Sequence, residues 1–336
     1  MWYIYQLNLV YIMYSLKEIL EVIETKIIEV QFISEPAELY EPIDYIVSLG
    51  GKRLRPAMVL LSCNLFSESI EQAILPAIGL ELFHNFTLIH DDIMDKAPIR
   101  RGKPTIHEKW NDNTAILSGD AMVFLANQYI SSIDTKNLQK VLSVYNETAL
   151  KVCEGQQFDM NFELRESISE DEYLNMISLK TSVLIAACLK IGAILGGASD
   201  EDADKIYHFG HYLGLAFQLQ DDLLDVYADE KVFGKRTGGD IVCNKKTYLL
   251  ITAINNSVNE IKQSLLNELN KKEFDEQEKI SNVKSIYSKL NVKDITQNKI
   301  NYFFEKALFE LDSIKKDDSH LSEIKNLAYS LLKRKS

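Results

Sequence analysis

Residues Ala73–Asp95 read AILPAIGLELFHNFTLIHDDIMD. A helix drawn over this stretch is apolar round most of its circumference, so we expect it to be buried at the centre of the fold. The stretch ends in Asp91, Asp92 and Asp95, which form the pattern DDxxD. The sequence therefore predicts a buried helix that carries a cluster of carboxylates at one end.

Helical periodicity continues along the rest of the chain. From Ser15 onward, apolar residues recur mostly at spacings of three and four. Glycine and proline, at 14 and 6 residues, are too few for a fold rich in strands and turns. Further helices are predicted over Ala57–Phe66, Thr114–Ser131, Leu138–Phe162, Glu170–Leu195 and Ala203–Tyr227. The fold class expected is all-α, a single large helical bundle.

Prolines and glycines mark the predicted breaks between helices. Pro36 and Pro42 are expected to bracket one break, and Gly50-Gly51 to end the helix that follows. Pro76 is expected in the first turn of its helix, where proline is tolerated. The glycine-containing stretch Ala228–Lys246 is predicted to be a loop.

The N-terminus and the cysteines bear on the location of the protein. Residues 1–14 are interpreted as an extension that packs on the body or on a partner subunit, and 15–336 as one domain; an internal start at Met13 is the alternative. The extension lacks the features of a signal peptide, and Lys17 ends it before transmembrane length. No transmembrane segment and a cytoplasmic location are expected. Free thiols fit that location, because no CxxC occurs among Cys63, Cys153, Cys188 and Cys243.

A second DDxxD pattern, Asp221, Asp222 and Asp225, also ends an apolar helix. Positions four apart share one side of a helix, and clustered carboxylates repel unless a cation lies between them. Mg²⁺ accepts a few carboxylates together with phosphates and waters, so both patterns predict Mg²⁺ sites; two solvated helix ends are the alternative. A di-iron bundle is disfavoured, because Glu81-x-x-His84 is the only Glu-x-x-His pair.

The charge pattern indicates the kind of ligand. The net charge of −12 argues against a nucleic-acid partner. His84 and Gln218 each lie seven residues before an aspartate and about 20° from its helix face. Local cations close to the aspartates suggest a polyanionic substrate, although solvated surface charges are the alternative. These cations are Lys52, Arg53, Arg55, Arg100, Arg101, Lys103, Lys235, Lys245 and Lys246.

Taken in order, five motifs resemble those of the trans-polyprenyl diphosphate synthases, of the short-chain type that makes geranylgeranyl or farnesyl diphosphate. They are Gly50–Pro56 (GGKRLRP), Leu88–Asp95 (LIHDDIMD), Arg100–Gly102, Lys180-Thr181 and Phe217–Asp225 (FQLQDDLLD). The resemblance extends from about Ser15 to the C-terminus. It implies an all-α homodimer of the isoprenoid synthase type with a central active-site cavity. It also implies Mg²⁺-dependent joining of isopentenyl diphosphate to an allylic diphosphate.

The resemblance implies a role for individual residues. The expected ligands of isopentenyl diphosphate are Lys52, Arg55, His84 and Arg101. Those expected to clamp the allylic diphosphate are Arg100, Lys180, Lys235 and Lys245. The main Mg²⁺ ligands would be Asp91, Asp95 and Asp221, and the weaker or indirect ones Asp92, Asp222 and Asp225. Lys180, Thr181 and Gln218 are the expected catalytic residues, the last two facing the carbocation. Gln156 and Asp159 match a further motif near the cavity.

This chemistry is also reasonable on physical grounds. Ionising an allylic diphosphate requires neutralisation of the charge on the leaving group, which Mg²⁺, Arg and Lys provide. The cation needs a dry pocket, and the departing diphosphate is the nearest base for the final proton. No dedicated His or Glu base is therefore expected.

The sequence departs from the family pattern at a few positions. Asn244 stands where many relatives have glycine, and residues 1–14 have no counterpart that can be assigned.

A class I terpene cyclase is disfavoured by the second DDxxD and by the separate cations Lys52–Arg55. A regulatory subunit is disfavoured because both aspartate motifs are intact, and a membrane-embedded aromatic prenyltransferase because no transmembrane segment is expected.

Product length is expected to depend on bulky residues before the first DDxxD. Phe86-Thr87 resembles the pattern of geranylgeranyl diphosphate synthases, which predicts a C20 product, with C15 as the alternative. From the rise of an ideal helix, Phe86 lies about 7.5 Å and Phe83 about 12 Å from Asp91 along the helix axis. Phe86 points about 140° away from Asp91 on an ideal helix, so either the helix is kinked or Phe83 closes the cavity. A purely structural role for both rings is the alternative.

Overall fold

The structure, a computed structural model, describes residues 13–30, 32–228 and 237–333. The elements of its first half are α1 (Leu16–Glu29), α2 (Ala37–Ser48), α3 (Leu54–Phe66), α4 (Glu71–Met94), β1 (Ile99–Arg100), β2 (Lys103–Pro104), α5 (Ile106–Lys109), α6 (Asp112–Ser131) and α7 (Thr135–Glu163). The predicted extension lies outside these residues except for its last two, and its role and boundary stay predictions.

The second half is also helical. Its elements are α8 (Glu170–Ile177), a π-helical turn (Ser178–Ser182), α9 (Val183–Gly196), α10 (Asp200–Tyr227), α11 (Gly239–Val242), α12 (Tyr248–Asn256), α13 (Asn259–Asn270), α14 (Glu276–Lys289), α15 (Val292–Asp312) and α16 (Asp318–Leu332). The prediction of an all-α fold is confirmed.

Some local predictions were wrong. Pro42 lies inside α2, and Pro76 lies at the sixth position of α4, so each removes a helix hydrogen bond instead of marking a break or a first turn. Two-residue strands pair Ile99 with Pro104 and Arg100 with Lys103, although no strand was expected. The loop predicted over 228–246 contains the short helix α11. The expected break after α2 is confirmed, since Gly50 and Gly51 have φ of 73° and 151°.

Contacts divide the chain into two compact units, each assembled from three chain segments. Unit 1 comprises Met1–Val144, Cys188–Ala203 and Lys316–Ile324, and unit 2 comprises Tyr145–Ala187, Asp204–Lys315 and Lys325–Ser336. The first DDxxD pattern therefore belongs to unit 1 and the second to unit 2.

Helix α4 is the central element of unit 1 and packs on both α3 and α6. Thirteen of its residues are buried, on all sides of the helix, as its apolar sequence predicts. It approaches α6 closely at Gly79, where a Cβ atom would lie 2.7 Å from Ile130 and 2.8 Å from the Ala126 carbonyl oxygen. This contact fixes the position of the helix whose end carries the first aspartates.

Two helical stretches, Glu71–Met94 and Glu170–Gly196, are long and apolar enough to cross a membrane. In their most apolar 18-residue windows, 67% and 72% of the residues are buried inside the protein. Core helices of this kind pass the same test of length and hydropathy.

Unit 2 has its own hydrophobic core. Side chains from α8, α10, α12, α14 and α15 meet there, among them Tyr173, Leu219, Leu249, Tyr287 and Phe303. Helix α12 contacts α15, α14 and α8. This core holds the N-terminal end of α8 and the C-terminal end of α10, which carry the polar groups of the second aspartate cluster.

Candidate active site

The three aspartates of unit 1 lie in different surroundings. Asp91 and Asp92 are in the last turn of α4, and Asp95 is its C-cap. Asp92 is buried, and both of its carboxylate oxygens accept hydrogen bonds from Arg100, at 2.7 Å from Nε and 2.7 Å from Nη2. Asp91 is half-buried and Asp95 is exposed. Asp92 is therefore bound by a bidentate arginine and is more buried than Asp91 and Asp95.

The unpredicted hairpin β1–β2 positions the two arginines that follow the first cluster. Its turn contains Arg101 and Gly102, both with positive φ, at 51° and 74°. Burial alone would lower the pKa of Arg100, but its bond to Asp92 and the charges of Asp91 and Asp95 raise the pKa overall. Arg100 thus stays cationic beside the aspartates, in keeping with the expected phosphate clamp.

His84 lies within a group of arginines. Arg55 donates a hydrogen bond of 2.9 Å from Nη1 to His84 Nε2, which makes this nitrogen the acceptor. Burial and the nearby charges of Arg55, Arg101 and Arg100 hold the pKa of His84 well below its usual value. The ring is therefore neutral, and the positive charge around it is supplied by guanidinium groups. The structure brings together Arg55, His84 and Arg101, three of the predicted isopentenyl diphosphate ligands.

The Gly-Gly pair before α3 accommodates an arginine side chain. Arg101 Nη1 donates a hydrogen bond to the Gly50 carbonyl oxygen, and a Cβ atom on Gly51 would lie 3.1 Å from Arg101 Nη2. Burial, followed by nearby arginines, lowers the pKa of Arg101 despite the opposing effect of Glu81. Lys52 is exposed in the same loop.

Arg53 is not part of a phosphate site, contrary to what its place among the cations suggested. Its side chain is buried and donates to Glu81 and Glu24, both at 3.0 Å, and to the Val47 carbonyl oxygen at 2.8 Å. All three guanidinium nitrogens thus bind groups of the protein. The sequence gives no signal for this structural role, since three cations in one loop look alike.

The second cluster is embedded in a hydrogen-bond network of unit 2. Asp222 is buried, and its carboxylate accepts hydrogen bonds from the Tyr173 hydroxyl and, at 3.2 Å, from Gln218 Nε2. Gln218 Oε1 in turn accepts a hydrogen bond of 3.0 Å from the Thr181 hydroxyl. Burial raises the pKa of Asp222 to about 6, although the bond from Tyr173 acts in the opposite direction. The predicted catalytic pair Thr181 and Gln218 is thereby tied to an aspartate of the second cluster.

Asp225 and Asp221 are less buried than Asp222. Asp225 Oδ2 accepts a hydrogen bond of 3.1 Å from the Asp240 backbone, which connects α10 to α11, and Asp221 is half-buried. Burial raises the pKa of Asp240 to about 7, against the opposing charge of Lys245. Lys245 itself is exposed, and Lys235 lies outside the described residues.

The carboxylate oxygens of the two DDxxD patterns fit Mg²⁺ better than a metal that is held by protein ligands alone. Within 13–30, 32–228 and 237–333, no group of three or more His, Cys, Asp or Glu side chains is arranged to hold a metal ion. Mg²⁺ is commonly held by one or two carboxylates together with substrate phosphates. Asp92 and Asp222 are buried and each accepts two side-chain hydrogen bonds, whereas Asp91 and Asp221 are half-buried and Asp95 is exposed.

Lys180 lies in the π-helical turn and forms an ion pair of 2.7 Å with Asp159. Both residues are partly exposed, at 26% and 21% of their side chains. Gln156 is half-buried one turn before Asp159 on α7. The structure thus joins Lys180 to Asp159, which belongs to the further motif that the family resemblance implies near the cavity.

The predicted chain-length residues lie on α4, which runs unbroken past them. Phe83 is 2% exposed, and its ring centroid lies 5.5 Å from that of the half-buried Phe86. Phe86 also contacts His90 edge-on at 4.7 Å, and His90 packs against Gly119 of α6. The Thr87 hydroxyl donates to the His84 carbonyl oxygen at 2.7 Å. Phe86 therefore lies on the side of α4 that faces α6.

Sequence reasoning missed three contributors to this region. They are the β1–β2 hairpin, the Tyr173 hydroxyl and the Asp240 backbone. A glycine after two arginines is a signal for the hairpin turn that could have been used. Tyr173 and Asp240 lie 49 and 15 residues from their partners, and no local pattern relates them.

Comparison with known proteins supports the fold and identifies the family. The sequence profile of the polyprenyl synthetase family matches residues 36–290. A geranylgeranyl diphosphate synthase from Methanosarcina mazei is 43% identical over 238 residues, which are 70% of this chain and 74% of that protein. A geranylfarnesyl diphosphate synthase from Natronomonas pharaonis is 36% identical over 251 residues, with coverage of 69% and 74%. A crystal structure of a geranylgeranyl pyrophosphate synthase superimposes with a TM-score of 0.91 at 41% identity, covering 96% of this chain and 100% of that one.

The all-α fold and the two aspartate motifs define an isoprenyl synthase, and the enzyme is a prenyltransferase. The chain belongs to the polyprenyl synthetase family.

Proposed function

We propose that this enzyme condenses isopentenyl diphosphate with allylic diphosphates and releases geranylgeranyl diphosphate, a C20 product. The observation that carries this proposal is the group formed by Arg55, His84, Arg100 and Arg101 close to the carboxylates of Asp91 and Asp95. Guanidinium groups match the geometry of phosphate oxygens, and the neutral His84 can donate a further hydrogen bond. A diphosphate substrate that arrives with Mg²⁺ suits both kinds of group.

The cofactor that we propose is Mg²⁺, with Asp91, Asp95 and Asp221 as its main ligands. When bound, it neutralises charge on the allylic diphosphate as that group leaves. Arg100, held by Asp92, adds a fixed positive charge, and Lys180 and Lys245 supply further cations. Because Arg100 and Lys180 are already oriented by Asp92 and Asp159, little reorganisation of these two groups is needed when the C–O bond breaks.

The hydroxyl of Thr181 and the amide of Gln218 are proposed to face the allylic carbocation. They are hydrogen-bonded to each other and, through Gln218, to Asp222, so their dipoles are fixed in direction. No described side chain is needed as a base, because the released diphosphate can take the proton that is lost after condensation.

A direct assay tests this proposal. The purified enzyme is incubated with Mg²⁺, isopentenyl diphosphate and, in separate reactions, dimethylallyl, geranyl or farnesyl diphosphate, and the products are sized. We expect C20 to accumulate from all three. A C15 end product identifies a farnesyl diphosphate synthase. A mainly C25 product matches the relatives named as geranylfarnesyl synthases, and cyclic hydrocarbons identify a terpene cyclase.

We further propose that the enzyme is a homodimer. On α6, Leu117 and Phe124 are 60% and 71% exposed and lie seven residues apart, on one face of the helix. Large apolar side chains aligned in this way on a surface favour association with another protein surface. A second copy of the same helix provides a matching face under two-fold symmetry.

A cytoplasmic location is proposed as well, on the basis of the cysteines. All four are free; Cys63 and Cys188 are buried, and Cys153 and Cys243 are exposed. Exposed free thiols are compatible with a reducing compartment.

A further inference from the structure

The helix that carries Lys180 and Thr181 is interrupted by a π-helical turn, Ser178–Ser182, between α8 and α9. The sequence predicts an unbroken α-helix over Glu170–Leu195. A π turn is less stable than an α turn and inserts one extra residue into the helix, so surrounding contacts must hold it in place. All contacts described below are within unit 2.

Two glycines from neighbouring helices lie against this turn. A Cβ atom on Gly155 of α7 would lie 2.7 Å from both the Leu179 carbonyl carbon and Lys180 Cα. A Cβ atom on Gly214 of α10 would lie 2.6 Å from Ser182 Cα and 2.8 Å from its hydroxyl oxygen. Real Cβ contacts shorter than 3.0 Å essentially do not occur, so only glycine is compatible with this backbone at either position.

Ser182 adds a polar contact on the α10 side. Its hydroxyl is fully buried and donates to the His211 carbonyl oxygen, while His211 Nδ1 lies 3.2 Å from the same hydroxyl oxygen. Because the hydroxyl hydrogen is used on the carbonyl, the oxygen can accept from Nδ1–H. The end of the turn is thus fixed by packing on Gly214 and by hydrogen bonds to His211.

The turn determines where two proposed active-site groups point. Lys180 reaches Asp159 on α7, one turn after Gly155, and Thr181 reaches Gln218 on α10, one turn after Gly214. Each glycine therefore lies on the same helix as the partner of the residue that it helps to place. Removing the extra residue of the π turn would rotate one side of the helix by about 100° relative to the other.

We infer that Gly155, Gly214 and Ser182 are positioning residues, which hold the turn in its π form and so orient Lys180 and Thr181 for the ionisation step. This inference rests on the proposed function, because it takes Lys180 and Thr181 to act on the allylic diphosphate. None of the three touches substrate in this assignment. They act through the backbone of residues 178–182.

The test compares Gly155→Ala, Gly214→Ala and Ser182→Ala with Gly196→Ala as the matched control. Gly196 is also tightly packed, since its Cβ atom would meet the Cys63 carbonyl and lie 3.1 Å from Phe66 Cβ, but it belongs to unit 1. Ser182→Ala adds no atoms and keeps the test usable if either glycine variant fails to fold. Lys180→Ala and Thr181→Ala are measured in parallel.

We expect the glycine variants and the control to lose thermal stability alike. In Gly155→Ala and Gly214→Ala, kcat should fall by about 100-fold, the effect of misplacing a reacting group by about 1 Å. The KM for isopentenyl diphosphate should stay within about two-fold, because its proposed ligands are elsewhere. Ser182→Ala should lower kcat by about 10-fold, the upper end for one lost hydrogen bond. Amide hydrogen exchange over residues 178–182 should accelerate in all three variants and not in Gly196→Ala.

Two results would overturn the inference in distinguishable ways. If Lys180→Ala and Thr181→Ala abolish turnover while the three test variants keep normal kcat and normal exchange, the turn needs no such support and the proposed function stands. If Lys180→Ala and Thr181→Ala retain normal kcat, their proposed roles fail, and the positioning role fails with them.

Discussion

Asp91 and Asp92 are adjacent in the sequence and differ in what surrounds their carboxylates. Asp92 is 2% exposed and is bound by Arg100 through two hydrogen bonds, whereas Asp91 is half-buried. The same contrast separates Asp222 from Asp221 in unit 2. Identical residues in one motif therefore have different surroundings: one is buried and hydrogen-bonded within the protein, and the other is half-buried.

We expect Asp91→Asn to lower mainly kcat and Asp92→Asn to lower mainly the free energy of unfolding. Asp91→Asn removes a charge that is needed as the diphosphate leaves, so kcat should fall by several orders of magnitude at an unchanged melting temperature. Asp92→Asn weakens the charged hydrogen bonds from Arg100 and should cost about 2 kcal/mol of unfolding free energy. Thermal unfolding and single-turnover rates measure the two effects. Equal loss of stability in both variants would contradict the different roles.

We propose that single side chains of α4 limit product length, and the candidates are Phe83 and Phe86. Phe86 is half-buried and faces α6, while Phe83 belongs to the core. Phe86→Ala should lengthen the product beyond C20 with little loss of stability. Phe83→Ala should also lengthen it, but with about 3–5 kcal/mol of destabilisation, because it leaves a cavity. Chromatography of the products and urea unfolding give both quantities; an unchanged product length in both variants would show that neither ring limits growth.

At the scale of elements, Arg53 connects three helices of unit 1. It binds Glu24 of α1, the Val47 carbonyl of α2 and Glu81 of α4, and it has φ of 45°. Its own side chain and that of Glu81 are only 2% and 5% exposed. A buried charge with several fixed partners sets the relative position of these helices. His84 lies on α4, and Arg55 lies on α3 two residues after Arg53.

Arg53→Met should therefore destabilise the protein by about 3–5 kcal/mol, because Glu81 is left as an unpaired buried charge. Arg53→Met combined with Glu81→Gln should recover part of this loss, since no uncompensated charge remains. The control is Lys17→Met. The side chains of Lys17 and its ion-pair partner Glu21 are 86% and 66% exposed, so this pair should contribute little to the free energy of unfolding. Denaturant unfolding monitored by circular dichroism provides the values. A loss no greater than that of the control would rule out the connecting role of Arg53.

At the scale of the whole molecule, the exposed face of α6 predicts the oligomeric state. Phe124→Asp places a charge in the proposed dimer interface and should shift the protein to a monomer. Phe309→Asp is the matched control, because Phe309 on α15 is 73% exposed and lies outside this face. Sedimentation velocity measures the mass of each variant. A monomeric wild type, or dissociation in the control alone, would contradict the proposed interface.

The helical fold and the candidate reactive groups follow from the amino-acid sequence. Periodic apolar residues define helices because burial on one face follows the 3.6-residue repeat, and the central position of α4 follows from its apolar circumference. The two DDxxD patterns and the cations near them are local in sequence. Their chemistry could be inferred from residue type and spacing, because carboxylates bind Mg²⁺ and guanidinium groups bind phosphates in most settings.

The contacts of these groups depend on the three-dimensional fold. It assigned Arg53 to the core and Arg100 to Asp92, and it gave Asp222 the distant Tyr173 as a partner. It also produced the π turn at Ser178–Ser182, whose sequence favours an ordinary helix. These features depend on contacts between residues far apart in the chain, where packing outweighs local preference, so no periodicity or spacing could reveal them.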